Sequence, residues 1–255
     1  MLFRSGFERF IYQFISDNYP EDQIEFDISK IKLVTIDIET KSENGFPDVE
    51  SASEEILLVT IQDYTTKEII TWGTRPFNNT HDNVDYRLCN DEHHLLNSFI
   101  QWWIENTPDV VTGWNCEFFD IPYITGRLNR VLGSKLMKRL SPWGLVTQSD
   151  IVVRGRKNFI VDIGGVSVLD YMRLYKWSPG TPNQESFRLD YIAQQELGQQ
   201  KLDHSAFATF KDFYANGWQK FVEYNIIDVE LVDRMEDIDR KSTRLNSSHN
   251  QSTYA

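Results

Sequence analysis

The sequence predicts an α/β fold, in which a mixed β-sheet is flanked by helices and carries an inserted β-hairpin. Three strand-like runs with short connections fill residues 31–72, which favours an antiparallel start to the sheet. A helical pattern and a return strand follow over residues 91–114, and this connection extends such a sheet. Two β-branched runs around the basic residues 154–157 predict the hairpin.

The first strand-like run, IKLVTIDIET, carries two carboxylates, Asp37 and Glu39. Because successive side chains of a strand point to opposite faces, these two carboxylates share one face. An isolated D-x-E pair is most often the solvated face of a strand whose apolar residues face the core. A functional interpretation therefore requires further carboxylates elsewhere in the chain.

The remaining elements follow from periodicity and from capping residues. Residues 73–90 are polar and rich in Asn and Asp, so we expect a loop there. Asp91 can cap a helix over HHLLNSFIQWWIEN, and DVVTGW predicts a strand of the same sheet. Further helices are predicted after Pro122, in FRLDYIAQQEL, over residues 206–216 and in GWQKFVEYNIIDVELVDRMEDI.

The two ends of the chain depart from this pattern. Residues 1–30 predict a helix in SGFERFIYQFISDNY and a short strand in QIEFDISK, and they are interpreted as a lead-in or as the remnant of a larger domain. Residues 241–255 are rich in Ser, Thr and Asn and have no periodic apolar face, so we expect a disordered or non-native tail. The main domain is expected over residues 31–240.

Composition excludes several classes of protein. Hydrophobic residues make up 40% of the chain, enough for a sizeable core. The two cysteines form no disulfide framework and no metal cluster, no apolar run reaches the roughly 20 residues of a membrane span, and no signal peptide is evident. We therefore expect an intracellular protein without a membrane partner.

The net charge of −12 argues at first against nucleic acid, whose phosphates attract Lys and Arg. Two observations weaken that argument. A site for divalent cations needs acidic residues, and the basic residues crowd into residues 127–139 and 154–157. The alternative interpretation of both basic segments is a solvated surface.

Two further carboxylates stand at informative positions. Asp120 lies at the start of a predicted helix, where the helix dipole and the free N–H groups suit a carboxylate, although an ordinary N-cap would look the same. Tyr224 and Asp228 are four residues apart on the last helix and share a face near its buried side, although a surface Asp is the simpler alternative. Each signal is weak when taken alone.

Taken in order, these residues resemble the DEDD superfamily of 3′–5′ exonucleases, in its tyrosine subclass. The first motif, D-x-E, is Asp37 to Glu39; the second, N-x3-F-D, ends at Asp120; the third, Y-x3-D, joins Tyr224 and Asp228. The segments GFP, TGWNCEFFDIPYI, MKRLSP, GVSVLDYMRLYK and YNIIDVE resemble the exonuclease domain of family-B DNA polymerases, in particular those of T-even-type bacteriophages. The resemblance covers roughly residues 20–240.

The resemblance implies a ribonuclease H-like fold and a proofreading 3′–5′ exonuclease that removes 3′-terminal nucleotides from single-stranded or frayed DNA. It also implies two divalent ions, Mg²⁺ or Mn²⁺, which suit hard carboxylate oxygens. In the roles of the family, Asp37 bridges both ions, while Glu39 and Asp228 complete the site of the ion that activates water. Asp120 helps to hold the second ion, and Tyr224 orients the attacking water.

The resemblance further implies contacts with DNA and with other proteins. By this resemblance Phe46 stacks on bases near the 3′ end, while Asn115 and Phe119 shape the path of the strand. The basic residues Arg154, Arg156 and Lys157 help to separate primer from template. The alternative for Phe46 is a loop aromatic that is tucked onto the core. Expected partners are DNA 3′ ends, the rest of the polymerase chain and replisome proteins, in the host cytoplasm if the chain is phage-encoded.

Two other functions remain open at this point. The chain could be a non-catalytic nucleic-acid-binding fragment, although the presence of all four carboxylates argues against a decayed site. It could be an exonuclease that acts on RNA, although GFP and GVSVLDYMRLYK argue for the polymerase branch. DNA synthesis is not expected, because no palm, fingers or thumb follows residue 240.

Overall fold

The computed structural model describes most of the chain, apart from both termini and five internal segments. The described residues are 10–19, 27–43, 45–153, 155–178, 184–199 and 206–251. Side chains are not described at residues 10–12, 156 and 239–251. Contacts divide the chain into two compact units, one that ends at Ile31 and one that begins at Lys32.

The first unit contains helix α1 (Phe10–Asn18) and a 3₁₀ turn at Ile28–Lys30. The helix agrees with the periodicity of its sequence. The strand expected in QIEFDISK is wrong over its last three residues, which form the turn, and most of its earlier part lies outside the described residues. The side chain of Asp27 accepts a hydrogen bond from the N–H of Ser29 at 3.0 Å, and such a local cap competes with an extended backbone.

The second unit holds eight described strands and seven described helices. The strands are β1 (Leu33–Thr40), β2 (Ile56–Asp63), β3 (Ile69–Gly73), β4 (Val84–Leu88), β5 (Val110–Gly113), β6 (Val146–Val153), β7 (Arg156–Ile163) and β8 (Ser167–Asp170). The helices are α2 (Glu92–Glu105), α3 (Asp120–Leu132), α4 (Ser134–Met137), α5 (Tyr171–Trp177), α6 (Leu189–Leu197), α7 (Phe210–Asn216) and α8 (Trp218–Gln251).

Six strands form one mixed sheet in the order β4-β3-β2-β1-β5-β8. Strands β1, β2 and β3 are an antiparallel meander, while β5 pairs in parallel with both β1 and β8. Strands β6 and β7 make a separate antiparallel hairpin. The predicted fold class, a mixed α/β sheet with an inserted hairpin, is confirmed.

Helices cover the central strand on both faces. Val34, Ile36 and Ile38 belong to a core that includes Phe99 of α2 and Ile121 of α3. A second core, on residues of β2, β3, α7 and α8, lies over the opposite face. Because β1 is therefore enclosed between two helical layers, the face that carries Asp37 and Glu39 is not an open solvated surface.

One expected loop contains a strand. The segment VDYRL within residues 73–90 forms β4, which pairs in parallel with β3 from Val84 opposite Ile69 to Leu88 opposite Gly73. The strand lies at the edge of the sheet, and only Val84 of its five residues is buried. A short edge strand with charged residues carries little hydrophobic pattern, which is why the sequence predicted a loop.

Two helix boundaries also differ from expectation. Helix α3 begins at Asp120, before Pro122, and Phe119 occupies the capping position without a side-chain bond, so Asp120 is a helical residue and not an N-cap. The backbone of α8 continues to Gln251, where a disordered tail was expected. The alternative that residues 241–255 are non-native, and the proposed domain boundaries, stay predictions. Among the described residues, no helix is both long enough and apolar enough to cross a bilayer.

Candidate functional site

Three carboxylates meet where β1 passes under α8. Asp37 and Glu39 come from the strand and Asp228 from the helix, and one oxygen of each lies within 4.8 Å of the others. Glu39 and Asp228 are buried, whereas Asp37 is half-buried. Ionised carboxylates repel each other at such distances, so an all-oxygen group of this kind fits a hard divalent cation such as Mg²⁺ or Mn²⁺.

Asp120 approaches the same strand from α3 but is not part of the three-carboxylate group. Its Oδ1 accepts a hydrogen bond from the N–H of Ile38 at 3.0 Å. This N–H is available because β5 pairs with β1 only from Leu33 to Thr35. Burial is the main cause that raises the pKa of Asp120 to about 7; the negative charges of Asp170 and Asp228 add to this effect, and the backbone hydrogen bond from Ile38 opposes it.

Asp170 supports the loop that leads to Asp120, and the sequence analysis did not identify it. It is the last residue of β8, caps α5, and accepts hydrogen bonds from the N–H groups of Asn115 and Glu117 at 3.2 Å. Asn115 has a φ of +69°, a left-handed conformation that Asn tolerates better than most residues. Burial raises the pKa of Asp170. An Asp between an apolar strand and a helix is the capping signal that could have indicated this residue.

Tyr224 lies one helical turn before Asp228, on the same side of α8. Its ring meets the ring of Phe213 edge to face, with centroids 5.8 Å apart. The residue is half-buried, so its ring is packed by α7 and its position is set by both helices. The structure thus brings Tyr224 to the side of the helix that carries the carboxylate, as the Y-x3-D spacing predicts.

Asn225 is the second polar side chain that the sequence analysis missed. It is fully buried, and its Nδ2 donates a hydrogen bond to Oδ2 of Asp37 at 2.6 Å. Thr60 donates a short hydrogen bond to Oδ1 of the same amide. The available signal was a polar residue on the apolar face of α8, directly after Tyr224.

Three aromatic side chains are in contact next to Asp120, at the start of α3. Phe46 is 85% exposed, and its ring centroid lies 5.2 Å from that of Phe119, which in turn stacks on Tyr123 at 5.5 Å. The alternative that Phe46 is tucked onto the core is therefore wrong. Its stacking on bases stays a prediction, as do the roles of Asn115 and Phe119 in the strand path.

A cavity of about 380 Å³ separates the loop of Phe46 from the hairpin. Its wall includes Phe118, Asn158 and Lys157, whose Nζ lies 3.1 Å from the carboxylate of Asp150. Of the other basic hairpin residues, Arg154 lies outside the described residues, and the side chain of Arg156 is not described. The predicted contribution of these three basic residues to DNA binding stays untested.

A buried ion pair anchors the loop between β1 and β2. Arg127 donates from Nε to Oε1 of Glu92 at 2.7 Å, and from Nη1 to the carbonyls of Ala52 and Ser53 at 3.0 and 3.1 Å. The same carboxylate oxygen accepts the N–H of Ile56 at 2.8 Å. Arg127 therefore holds the loop that includes Phe46, and its partner Glu92 holds the start of β2.

The mixed sheet, with its carboxylates at the crossing of β1 and α8, defines a ribonuclease H-like fold with a candidate metal centre. The profile of the family described as DNA polymerase family B, exonuclease domain, matches residues 9–192. The chain belongs to this family and is a 3′–5′ exonuclease domain. The resemblance to this family that the sequence motifs indicated is thus confirmed.

Three of the proteins that the chain resembles are viral DNA polymerases. The chain is 31% identical to a DNA-directed DNA polymerase of Escherichia phage RB69, over 98% of the chain and 30% of that protein. It is 31% identical to a DNA-directed DNA polymerase of Enterobacteria phage T4, over 91% of the chain and 28% of that protein. A DNA polymerase of Orgyia pseudotsugata multicapsid polyhedrosis virus is 29% identical over 58% of the chain. The chain thus spans less than a third of the length of the two phage relatives.

Proposed function

We propose that this domain removes 3′-terminal nucleotides from single-stranded or frayed DNA in proofreading, with two divalent ions, Mg²⁺ or Mn²⁺. The observation that supports the proposal most is the meeting of Asp37, Glu39 and Asp228 within 4.8 Å in a chain of this exonuclease family. The phage relatives are named DNA polymerases, so a DNA strand is the natural substrate class.

The carboxylates have distinct roles in the proposed reaction. Two divalent ions, when bound, would stabilise the attacking and leaving oxygens and supply a nucleophilic water near neutral pH. Asp37 would offer oxygens to both ions, while Glu39 and Asp228 would complete the ligands of one of them. Asp120 would contribute to the other, and it would have to release its proton to do so, because only the carboxylate form is a good ligand.

The other residues position the reactants. Tyr224 orients the attacking water with its hydroxyl group. Phe46 and Phe119 present aromatic surface on which unstacked terminal bases rest, a contact that tolerates any base. Lys157, together with Arg154 and Arg156, keeps the strands apart at the hairpin. An unpaired 3′ end reaches the carboxylates more readily than a paired one, so mismatched ends are removed preferentially.

A degradation assay tests this proposal. A 5′-labelled single strand in Mg²⁺ is expected to shorten stepwise from its 3′ end, and a chelator is expected to stop the reaction. Asp37→Ala should remove the activity, whereas Asp85→Asn, a carboxylate change on the exposed edge strand β4, should leave it intact. Equal rates for the wild type and Asp37→Ala would exclude the proposed site.

The same assay separates the two alternatives. An RNA strand of identical sequence that is degraded faster than the DNA strand would indicate an RNA-acting exonuclease. A wild-type protein that binds DNA but shortens no strand in Mg²⁺ or Mn²⁺ would indicate a non-catalytic binding module. The rest of a polymerase chain and replisome proteins are the further partners that this proposal includes.

A further inference from the structure

A row of polar side chains crosses three strands beneath α8. Asp37 of β1 lies opposite Thr60 of β2, and Thr60 lies opposite Thr71 of β3. Directly opposite residues in a sheet share a face and have neighbouring side chains. Asn225 of α8 closes the row from above, and it is completely buried, as are both threonines.

The hydrogen bonds in this row have only one consistent direction. Asp37 as a carboxylate can only accept, so the amide of Asn225 must present Nδ2 to it, at 2.6 Å. The amide oxygen then accepts the hydroxyl hydrogen of Thr60. Because the hydroxyl hydrogen of Thr60 is already donated to Asn225, the hydroxyl of Thr71 must donate to Thr60, across 2.9 Å. The row is thus a chain of donors that ends on the carboxylate.

We propose that Asn225 is a positioning residue for metal binding: with Thr60 and Thr71 behind it, it holds the Asp37 carboxylate in the orientation that divalent ions require. The proposal rests on the proposed function, since it concerns the same metal centre. The proposal adds Asn225 to the four carboxylates and the tyrosine of the predicted site.

Three features make Asn225 suited to this position. Asn225 and Asp228 are three residues apart on one face of α8, so the bond to Asp37 also sets where the helix carboxylate stands relative to the strand. The amide is a neutral donor, which steadies a carboxylate without the positive charge that would compete with a bound cation. The amide hydrogen bond occupies one acceptor site, on Oδ2 of Asp37.

Direct titration of the whole chain with Mn²⁺, followed by calorimetry, tests the proposal without any turnover. Asn225→Leu nearly keeps the side-chain volume and removes the donor. We expect it to weaken Mn²⁺ binding by about 10- to 100-fold, the usual cost of losing a group that orients a metal ligand. The concentration of Mn²⁺ that half-saturates the nuclease rate should rise by the same factor, while the rate at saturating Mn²⁺ changes far less.

Two milder variants at Thr60 provide a second test of the proposal, and this test remains possible if Asn225→Leu does not fold. Thr60→Val preserves shape and frees the amide to turn, so Mn²⁺ binding should weaken. Thr60→Ser keeps the hydroxyl and should bind Mn²⁺ like the wild type. The matched control is Thr35→Val: Thr35 lies on the same face of β1, and its buried hydroxyl has no hydrogen-bond partner among the described residues.

The outcomes separate this inference from the proposed function. If the wild type binds Mn²⁺ and both Asn225→Leu and Thr60→Val bind it equally well, Asn225 is only a packing residue and the inference is overturned. If the wild type binds no Mn²⁺, the proposed function fails, and this inference fails with it. Weaker binding in Thr60→Val, with normal binding in Thr60→Ser and Thr35→Val, supports the inference.

Discussion

The carboxylate of Asp120 accepts its hydrogen bond from the N–H of Ile38, the residue that stands between the two carboxylates of β1. This 3.0 Å bond ties the start of α3 to the strand at a point where β5 has already ended. Asp120 therefore has a structural task in the metal-free protein in addition to its proposed task as a ligand. As a metal ligand Asp120 must be deprotonated, whereas its oxygen can accept the hydrogen bond from Ile38 while the carboxyl group keeps its proton.

The first prediction concerns the stability of the metal-free protein as a function of pH. Below pH 4 the Asp120 carboxyl is protonated in the folded and unfolded chains alike. Between its ordinary value of 3.8 and the raised pKa of about 7, only the folded chain keeps the proton. The free energy of unfolding therefore falls as the pH rises through this window, and it levels off above it.

Asp120→Asn should remove this loss, because the amide oxygen can still accept from Ile38 and carries no charge. In a chelator, the melting temperature of the variant minus that of the wild type should grow from pH 4 to pH 7, then stay constant. Each pKa unit corresponds to about 1.4 kcal/mol, so the full gain is on the order of a few kcal/mol. A difference that is the same at pH 4 and pH 8 would contradict the assignment.

The second prediction concerns the ion pair between Arg127 and Glu92. Arg127→Met leaves a buried carboxylate without its cation, so we expect the free energy of unfolding to drop by about 3–5 kcal/mol. Denaturant titration measures this change. Arg130→Met is the matched control, since Arg130 is exposed on the same helix and bonds only the carbonyl of Ser51 among the described residues; it should cost under about 1.5 kcal/mol.

The double variant Arg127→Met with Glu92→Gln refines this prediction. It removes the uncompensated charge, so its loss of stability should be smaller than the sum of the two single losses. A strictly additive result would show that the two side chains do not act as a pair.

The third prediction concerns Phe46, the exposed aromatic of the loop after β1. Phe46→Ala should leave the melting temperature unchanged, because the side chain is 85% exposed. The KM for a single-stranded substrate should rise by a factor that corresponds to about 1–3 kcal/mol, the value of one stacked base. Trp177→Ala, which alters another highly exposed aromatic at the end of α5, should leave KM unchanged. Equal effects of both variants would argue against stacking at Phe46.

The fourth prediction concerns the hydroxyl of Tyr224. Tyr224→Phe keeps the ring contact with Phe213, so stability and Mn²⁺ affinity should stay at wild-type values. The nuclease kcat should fall on the order of 10²-fold, because a group that acts on the attacking water is lost. Tyr64→Phe is the control: it removes a hydroxyl that bonds Asp237 further along α8, and it should leave kcat unchanged. A normal kcat in Tyr224→Phe would remove Tyr224 from the reaction.

Much of the fold could be predicted because its elements carry strong local signals. The meander of β1 to β3, the capped helix α2 and the hairpin all follow from patterns of two or 3.6 residues and from turn or cap residues. Strand β4 could not be predicted in this way, because it is short and half polar and is defined by its pairing with β3. The end of α8 was missed because its last residues carry no apolar face.

The sequence by itself determined which chemistry the chain can support. Spacing places Asp37 and Glu39 on one strand face and Tyr224 and Asp228 on one helix face, since side-chain direction follows from covalent geometry. The resemblance of the three ordered motifs to a known family joined these residues and Asp120 into one site.

Only the tertiary structure decided which of these groups meet and what holds them. It brings three carboxylates within 4.8 Å, sets Asp120 on the N–H of Ile38, and places a buried amide against Asp37. The physical reason is that these contacts join residues 82 and 188 positions apart in the chain, so they exist only after the sheet and its two helical layers have packed.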